Sequence, residues 1–168
     1  MSPYHRYTVS YVAHVREKAA REFLSTIGLP AESRLFTAEE ALAGQDHDHL
    51  VTQEAVLVGL EVGDAAVGPA SYYVDCETGS VSYDTADGLA SFHVSNSPRA
   101  FAACLEVFER GITEALTETK SEPEDWEEVA ETLQQAIGAV DPSTLRDDPG
   151  FWHSLLFDVA NGDYAGAE

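Results

Sequence analysis

Apolar and polar positions along the chain follow two periods, and the switch between them lays out the elements. Near the N-terminus, Ala19, Ala20, Phe23, Leu24 and Ile27 recur at helical spacing within VREKAAREFLSTIGLP. Gly28 provides a left-handed stop, and Pro30 bars continuation. Residues 31–51 carry mixed signals. TAEEAL reads as one helical turn with Thr37 as N-cap and Glu40 three residues on, and GQDHDHL as a polar loop. The period then shortens. EAVLVGLEVG is apolar, β-branched and bounded by glycine, the pattern of a buried strand. GDAAVGPA is a loop. SYYVDC and SVSYDT alternate as strands joined through ETG, where Gly79 can take the positive φ of a short hairpin. Asp87-Gly88 marks the next turn and ASFHVSN the next strand, giving an antiparallel meander over residues 56–94.

At Ser97 the period lengthens again. Ser97 is an N-cap and Pro98 the first helical residue. Phe101, Cys104, Leu105, Phe108 and Ile112 then form one apolar helix face. TETKSEPEDWEE is an acidic connector. A second helix presents Trp126, Val129, Ala130, Leu133 and Ile137, with a capping box spanning Ser121 and Glu124. DPSTLRDD reads as a loop. A last helix starts at Pro149 with Asp148 as cap and runs to Gly162, burying Trp152, Leu155, Leu156 and Val159. Strands followed by helices predict an α+β fold, an antiparallel meander sheet flanked by helices.

The length, 168 residues, fits a single domain with a helical C-terminal part over residues 97–162 and a loose tail at 163–168. A domain of this size buries roughly 70% of its unfolded surface, so it needs neither disulfide nor metal to hold a core. The hydrophobic content of 44% places it among globular chains rather than disordered ones. Cys76 and Cys104 show no CxxC spacing and read as reduced thiols. The N-terminal stretch is charged throughout, without the apolar core of a signal peptide. No apolar run approaches the ~18 residues that span a bilayer. These features predict a cytoplasmic protein.

Charge changes the picture most. Asp and Glu total 30 against 9 Lys and Arg, a net −21. Such a field repels nucleic acid and anionic membranes, because both require a basic footprint. It attracts a basic partner and speeds encounter with it. Acidity by itself fits a role in solubility equally well.

Candidate chemistry is sparse. Asp46-His47-Asp48-His49, if extended, puts both imidazoles on one face, and His47 and His49 at that spacing are candidate metal ligands. A site would need a further ligand from the fold; a solvated loop is the plainer reading. His5, His14, His93 and His153 are scattered. Ser95, Ser97, His93 and Asp84 contain the residue types of a nucleophilic triad, but Ser97 is already explained as a cap. No GxSxG, Walker A or GxGxxG pattern is present. The carboxylates are too numerous for any acid–base pair to stand out. No enzymatic activity and no cofactor are expected. The meander does cluster tyrosine with carboxylates. Tyrosine offers contact area at low entropy cost and carboxylates meet Arg or Lys. Tyr73, Asp75, Glu77, Asp84 and Asp87 are therefore the candidate partner-binding residues. Tyr72 and Tyr83 read as core, while Tyr73 fits either role.

Four segments in order resemble a known family. REFLSTIGLP is similar to the FL-x-x-x-GLP entry of the SUKH superfamily, in its fourth subgroup of bacterial immunity proteins. VDCETGSVSY resembles that group's D-x-x-TG-x-V hairpin, FHVSNSPRAFAACLEVF its strand-to-helix junction, and DPSTLRDDPGFWHSLL its C-terminal ending. The resemblance runs over residues 21–156. At the junction Ser95 intervenes before Asn96, and the first twenty residues and Asp46 to His49 match nothing in the pattern. The resemblance implies a sheet flanked by helices, no catalysis, and an immunity protein that neutralises a toxin of a polymorphic toxin system, often a nuclease or deaminase. A basic toxin domain is thus the expected partner. A scaffold or regulatory module of the same fold, and a metal-dependent enzyme using His47 and His49, are the rival readings.

Overall fold

The computed structural model describes residues 3–38, 53–62, 69–118 and 123–166. They fall into two compact units, Met1–Ala102 and Ala103–Glu168. The elements in order are β1 (Tyr4–His5), α1 (Lys18–Thr26), β2 (Leu29–Pro30), β3 (Phe36–Ala38), β4 (Ala55–Glu61), β5 (Ser71–Asp75), β6 (Val81–Asp84), β7 (Ser91–Ser95), α2 (Pro98–Thr117), α3 (Pro123–Val140), a 3-10 turn (Pro142–Leu145) and α4 (Phe151–Ala160). The class is α+β, as the pattern predicted.

In the first unit, β3 to β7 form a five-stranded antiparallel sheet in sequence order. The predicted meander is its larger part. Gly79 (φ 76°) takes the left-handed conformation expected of its hairpin, and Gly88 (φ 72°) takes it in the next turn. The core lies on the face carrying Val56, Tyr72, Val74 and Val81. Tyr72 stacks on Phe101 at 5.4 Å, and Phe36 meets both rings edge-on at 5.3 and 5.4 Å. Aromatic pairs in these geometries contribute beyond their buried area. Helix α1 is capped by Glu17, whose carboxylate accepts from the Ala19 and Ala20 amides. It ends where Gly28 (φ 87°) donates to the Phe23 carbonyl, as the sequence predicted.

The N-terminal segment supplies core that periodicity did not announce. Tyr7, Tyr11, Val12 and Val15 are all buried outside any regular element. β3 pairs with Gly59, Leu60 and Glu61 of β4. Earlier along β4, the Tyr11 hydroxyl donates to the Leu57 carbonyl at 2.7 Å and the Tyr7 hydroxyl donates to the Val58 carbonyl.

Three expectations need correction. Thr37 and Ala38 belong to strand β3, paired with Leu60 and Gly59, so no helical turn starts at Thr37; strand pairing overrides the local capping signal. The rest of TAEEAL lies outside the described residues, as do Ser121 and the Glu124 side chain of the proposed capping box. Helix α4 begins at Phe151, with Gly150 in the capping position and no side-chain cap, rather than at Pro149 under Asp148. The chain folds back there so tightly that a Cβ on Gly150 would collide with the Asp147 carbonyl, and Asp148 points into solvent. DPSTLRDD is not wholly loop: Asp141 is buried and caps the 3-10 turn, accepting from the Ser143 amide at 2.9 Å.

In the second unit, the α2 face is buried as predicted at Cys104, Leu105, Phe108 and Ile112. Trp126, Ala130, Leu133 and Ile137 of α3 are buried with it, while Val129 is half-buried. Trp152 of α4 is fully buried beside Phe108 (6.3 Å) and Phe151 (5.1 Å). Leu155 is only half-buried.

Candidate functional site

Strand alternation divides the sheet into two chemically different faces. Opposite the aromatic core lie Ser71, Tyr73, Ser82, Asp84, Ser91 and His93, because Ser71 pairs with Asp84, Tyr73 with Ser82, Ser82 with His93 and Asp84 with Ser91. Tyr73, Ser82 and His93 therefore form a row across three strands. All six are half-buried or exposed. Tyr73 and Asp84 share this outer face on neighbouring strands, so the structure brings these two candidates together. Tyr72 is buried as expected. Tyr83 lies on the core face and donates to the Glu61 carboxylate at 3.0 Å. Burial, then that carboxylate, push its phenol well above the usual range.

Of the other three candidates, Asp75 ends β5, and Glu77 and Asp87 sit in turns. Asp75 folds its carboxylate back on its own hairpin, accepting from the Thr78 amide (2.7 Å), the Glu77 amide (2.9 Å) and the Thr78 hydroxyl (3.0 Å). The Thr78 amide above all holds its carboxyl below the ordinary value. Asp87 does the same for the β6–β7 turn, accepting from the Thr85 hydroxyl at 2.6 Å and the Leu89 amide at 3.0 Å. Glu77 is exposed and lies 3.8 Å from Arg16. Asp75 and Glu77 stand at one end of β6 and Asp84 and Asp87 at the other, separated by a strand length of about 10 Å. The five residues are thus an elongated face with acidic ends rather than one cluster. Sequence reading passed over Leu89, which is 87% exposed at the tip beside Asp87.

The triad residue types have structural employment. Ser97 Oγ accepts from the Ala100 amide at 3.1 Å, and the Ser95 hydroxyl donates to the Ser97 carbonyl at 3.2 Å. His153 is half-buried, its Nε2 3.3 Å from the Leu145 carbonyl. His47 and His49 lie outside the described residues. Among the described residues no three His, Cys, Asp or Glu side chains gather as a metal site, and no helix is long and apolar enough to cross a membrane.

This sheet and its helices can be set against known families. The sequence profile described as SUKH-4 immunity protein matches residues 5–158. The chain belongs to the SUKH-4 immunity protein family. The SUKH-4 match reaches back over the N-terminal segment that the four motifs left unplaced, consistent with Tyr7, Tyr11, Val12 and Val15 being core. No curated protein and no solved structure matches the chain. Membership implies immunity to a toxin. The SUKH-4 motifs themselves are structural in this chain: Gly28 and Gly79 serve turns, Ser97 a cap, and Trp152 the core.

Proposed function

We propose that this SUKH-4 chain binds a basic toxin domain in the cytoplasm of the producing cell and neutralises it by occupying its surface, without catalysis. Membership of an immunity family over residues 5–158 is the observation that carries the reading. The charge supports it. Nucleases and nucleic-acid deaminases bind polyanions through cationic clefts, and a protein of net −21 competes for such a cleft. On the sheet, Tyr73 and Asp84 are the proposed contacts, with Glu77 and the turn carboxylates Asp75 and Asp87 at either end. Tyr73 contributes area, and Asp84 and Glu77 meet Arg or Lys.

The test is co-expression. A cationic toxin domain encoded beside this chain is induced in a host with and without it, and growth and toxin binding are measured. Protection that coincides with a salt-sensitive complex is expected. A host that dies at the same rate in both arms would remove the immunity reading and leave the scaffold reading in its place.

A further inference from the structure

The negative charge is unevenly divided. Ala103–Glu168 carries 3 Lys or Arg against 16 Asp or Glu, a net −13, whereas Met1–Ala102 carries 6 against 14, a net −8. Within the more acidic unit, α2 and α3 enclose an open groove of about 210 Å³. Ala115, Val129 and Leu133 form its apolar floor, and Glu114, Glu118 and Glu128 its rim. Gly111 brings the floor together, since a Cβ there would lie 2.5 Å from Leu133 Cδ2. Ala115 and Leu133 are buried, while the three glutamates are exposed. Glu114 and Glu118 are one helical turn apart on α2, a like-charge spacing that costs helix stability. Glu114 and Glu128 make no ion pair among the described residues.

We propose that this groove receives an arginine side chain of a cationic partner protein. It rests on the reading of a basic partner given above and names a second contact for it. An apolar floor under an acidic rim matches arginine in both parts. The methylene stem packs on Ala115, Val129 and Leu133, as long cationic side chains do. The planar guanidinium presents several donors to carboxylates on both helices, and its weak hydration makes entry into a half-apolar groove less costly than for an ammonium.

The experiment needs no toxin. The full chain, labelled with 15N, is titrated with acetyl-Gly-Arg-Gly-amide and with the same peptide carrying citrulline, which keeps the shape and loses the charge. The arginine peptide should shift the amides of Gly111, Ala115, Val129 and Leu133 saturably, and the citrulline peptide should not. The E114Q/E128Q double variant, checked for an unchanged melting curve, should bind about tenfold more weakly. Shifts spread evenly over the exposed acids, no shifts at all, equal binding of citrulline, or full affinity in E114Q/E128Q would each overturn the proposal. Because toxin protection is read separately, a silent groove beside intact protection removes the groove and leaves the immunity reading standing. Groove-localised arginine shifts without protection support the groove and remove the toxin.

Discussion

Replacing Gly59 with alanine tests how closely β3 and β4 are held together. Gly59 lies inside β4, where glycine usually marks a close approach. A Cβ there would sit well inside contact distance of the Phe36 ring edge and 2.6 Å from the Thr37 carbonyl oxygen, against the roughly 3.5–4.0 Å of ordinary contacts. Neither neighbour yields easily. Phe36 is fully buried between Tyr72 and Phe101. Thr37 is backbone of the paired strand, so β3 must draw away from β4 and strain the Ala38–Gly59 pair. Overpacking of this kind costs about 1–3 kcal/mol. Two obstructed directions place Gly59→Ala near 3 kcal/mol, a fall in Tm of about 6–12 °C for a chain of this length. Urea unfolding followed by far-UV circular dichroism measures it. The G59A/F36L double variant should recover about 1 kcal/mol relative to the sum of the single changes, since only the ring is relieved. A loss below about 1 kcal/mol for G59A, or strict additivity, would refute the packing argument.

Other expectations follow from single contacts. Asp84→Lys should slow association with a basic toxin domain and flatten its salt dependence while leaving Tm unchanged; Asp87→Lys should also lower Tm, because Asp87 holds the β6–β7 turn, and melting curves of the two variants separate the effects. Asp75 has a folded pKa below its unfolded value, so its contribution is complete above the unfolded pKa and is lost as pH falls through the folded one. Asp75→Asn should therefore flatten the acid limb of the stability profile below about pH 4, and an unchanged limb would contradict the assignment. Burial, then Asp141, pushes the Cys104 thiol up to about 12, and burial raises Cys76 as well. Neither should react with a thiol reagent in the native protein, and both should react in denaturant; fast native labelling would show that the core opens.

The legible parts of the fold were those encoded locally. Ser97-Pro98 fixes the start of α2 because an N-cap and a first-turn proline act within three residues. Gly79 and Gly88 fix two turns because positive φ is a property of one residue. Strands β4 to β7 and the α2 and α3 faces were readable because their periods persist over several residues. What escaped was set by distant partners. Tyr7 and Tyr11 became core through hydroxyl bonds to Leu57 and Val58, about fifty positions away in sequence, and no short-range pattern marks that. Thr37 looked like a cap and became a strand residue because β4 lay ready to pair with it. Asp141 looked like one loop acid among many until its burial was visible. For the candidate surface, alternation put Tyr73 on the face away from Tyr72, and register then added Asp84 and His93. Sequence proximity grouped Asp75, Glu77, Asp84 and Asp87, and the register adds that they lie toward the two ends of β6. The acidic rim of the groove joins α2 to α3, a pairing that neither helix discloses alone.

This acidic SUKH-4 chain is proposed to neutralise a basic toxin domain by binding it. Co-expression of the two, with the affinity of the purified pair measured at low and high salt, is the deciding experiment. The host should grow only when the chain is present, and the complex should weaken steeply as salt rises. A toxin that kills equally with and without the chain, or a pair that fails to associate at low salt, would contradict it.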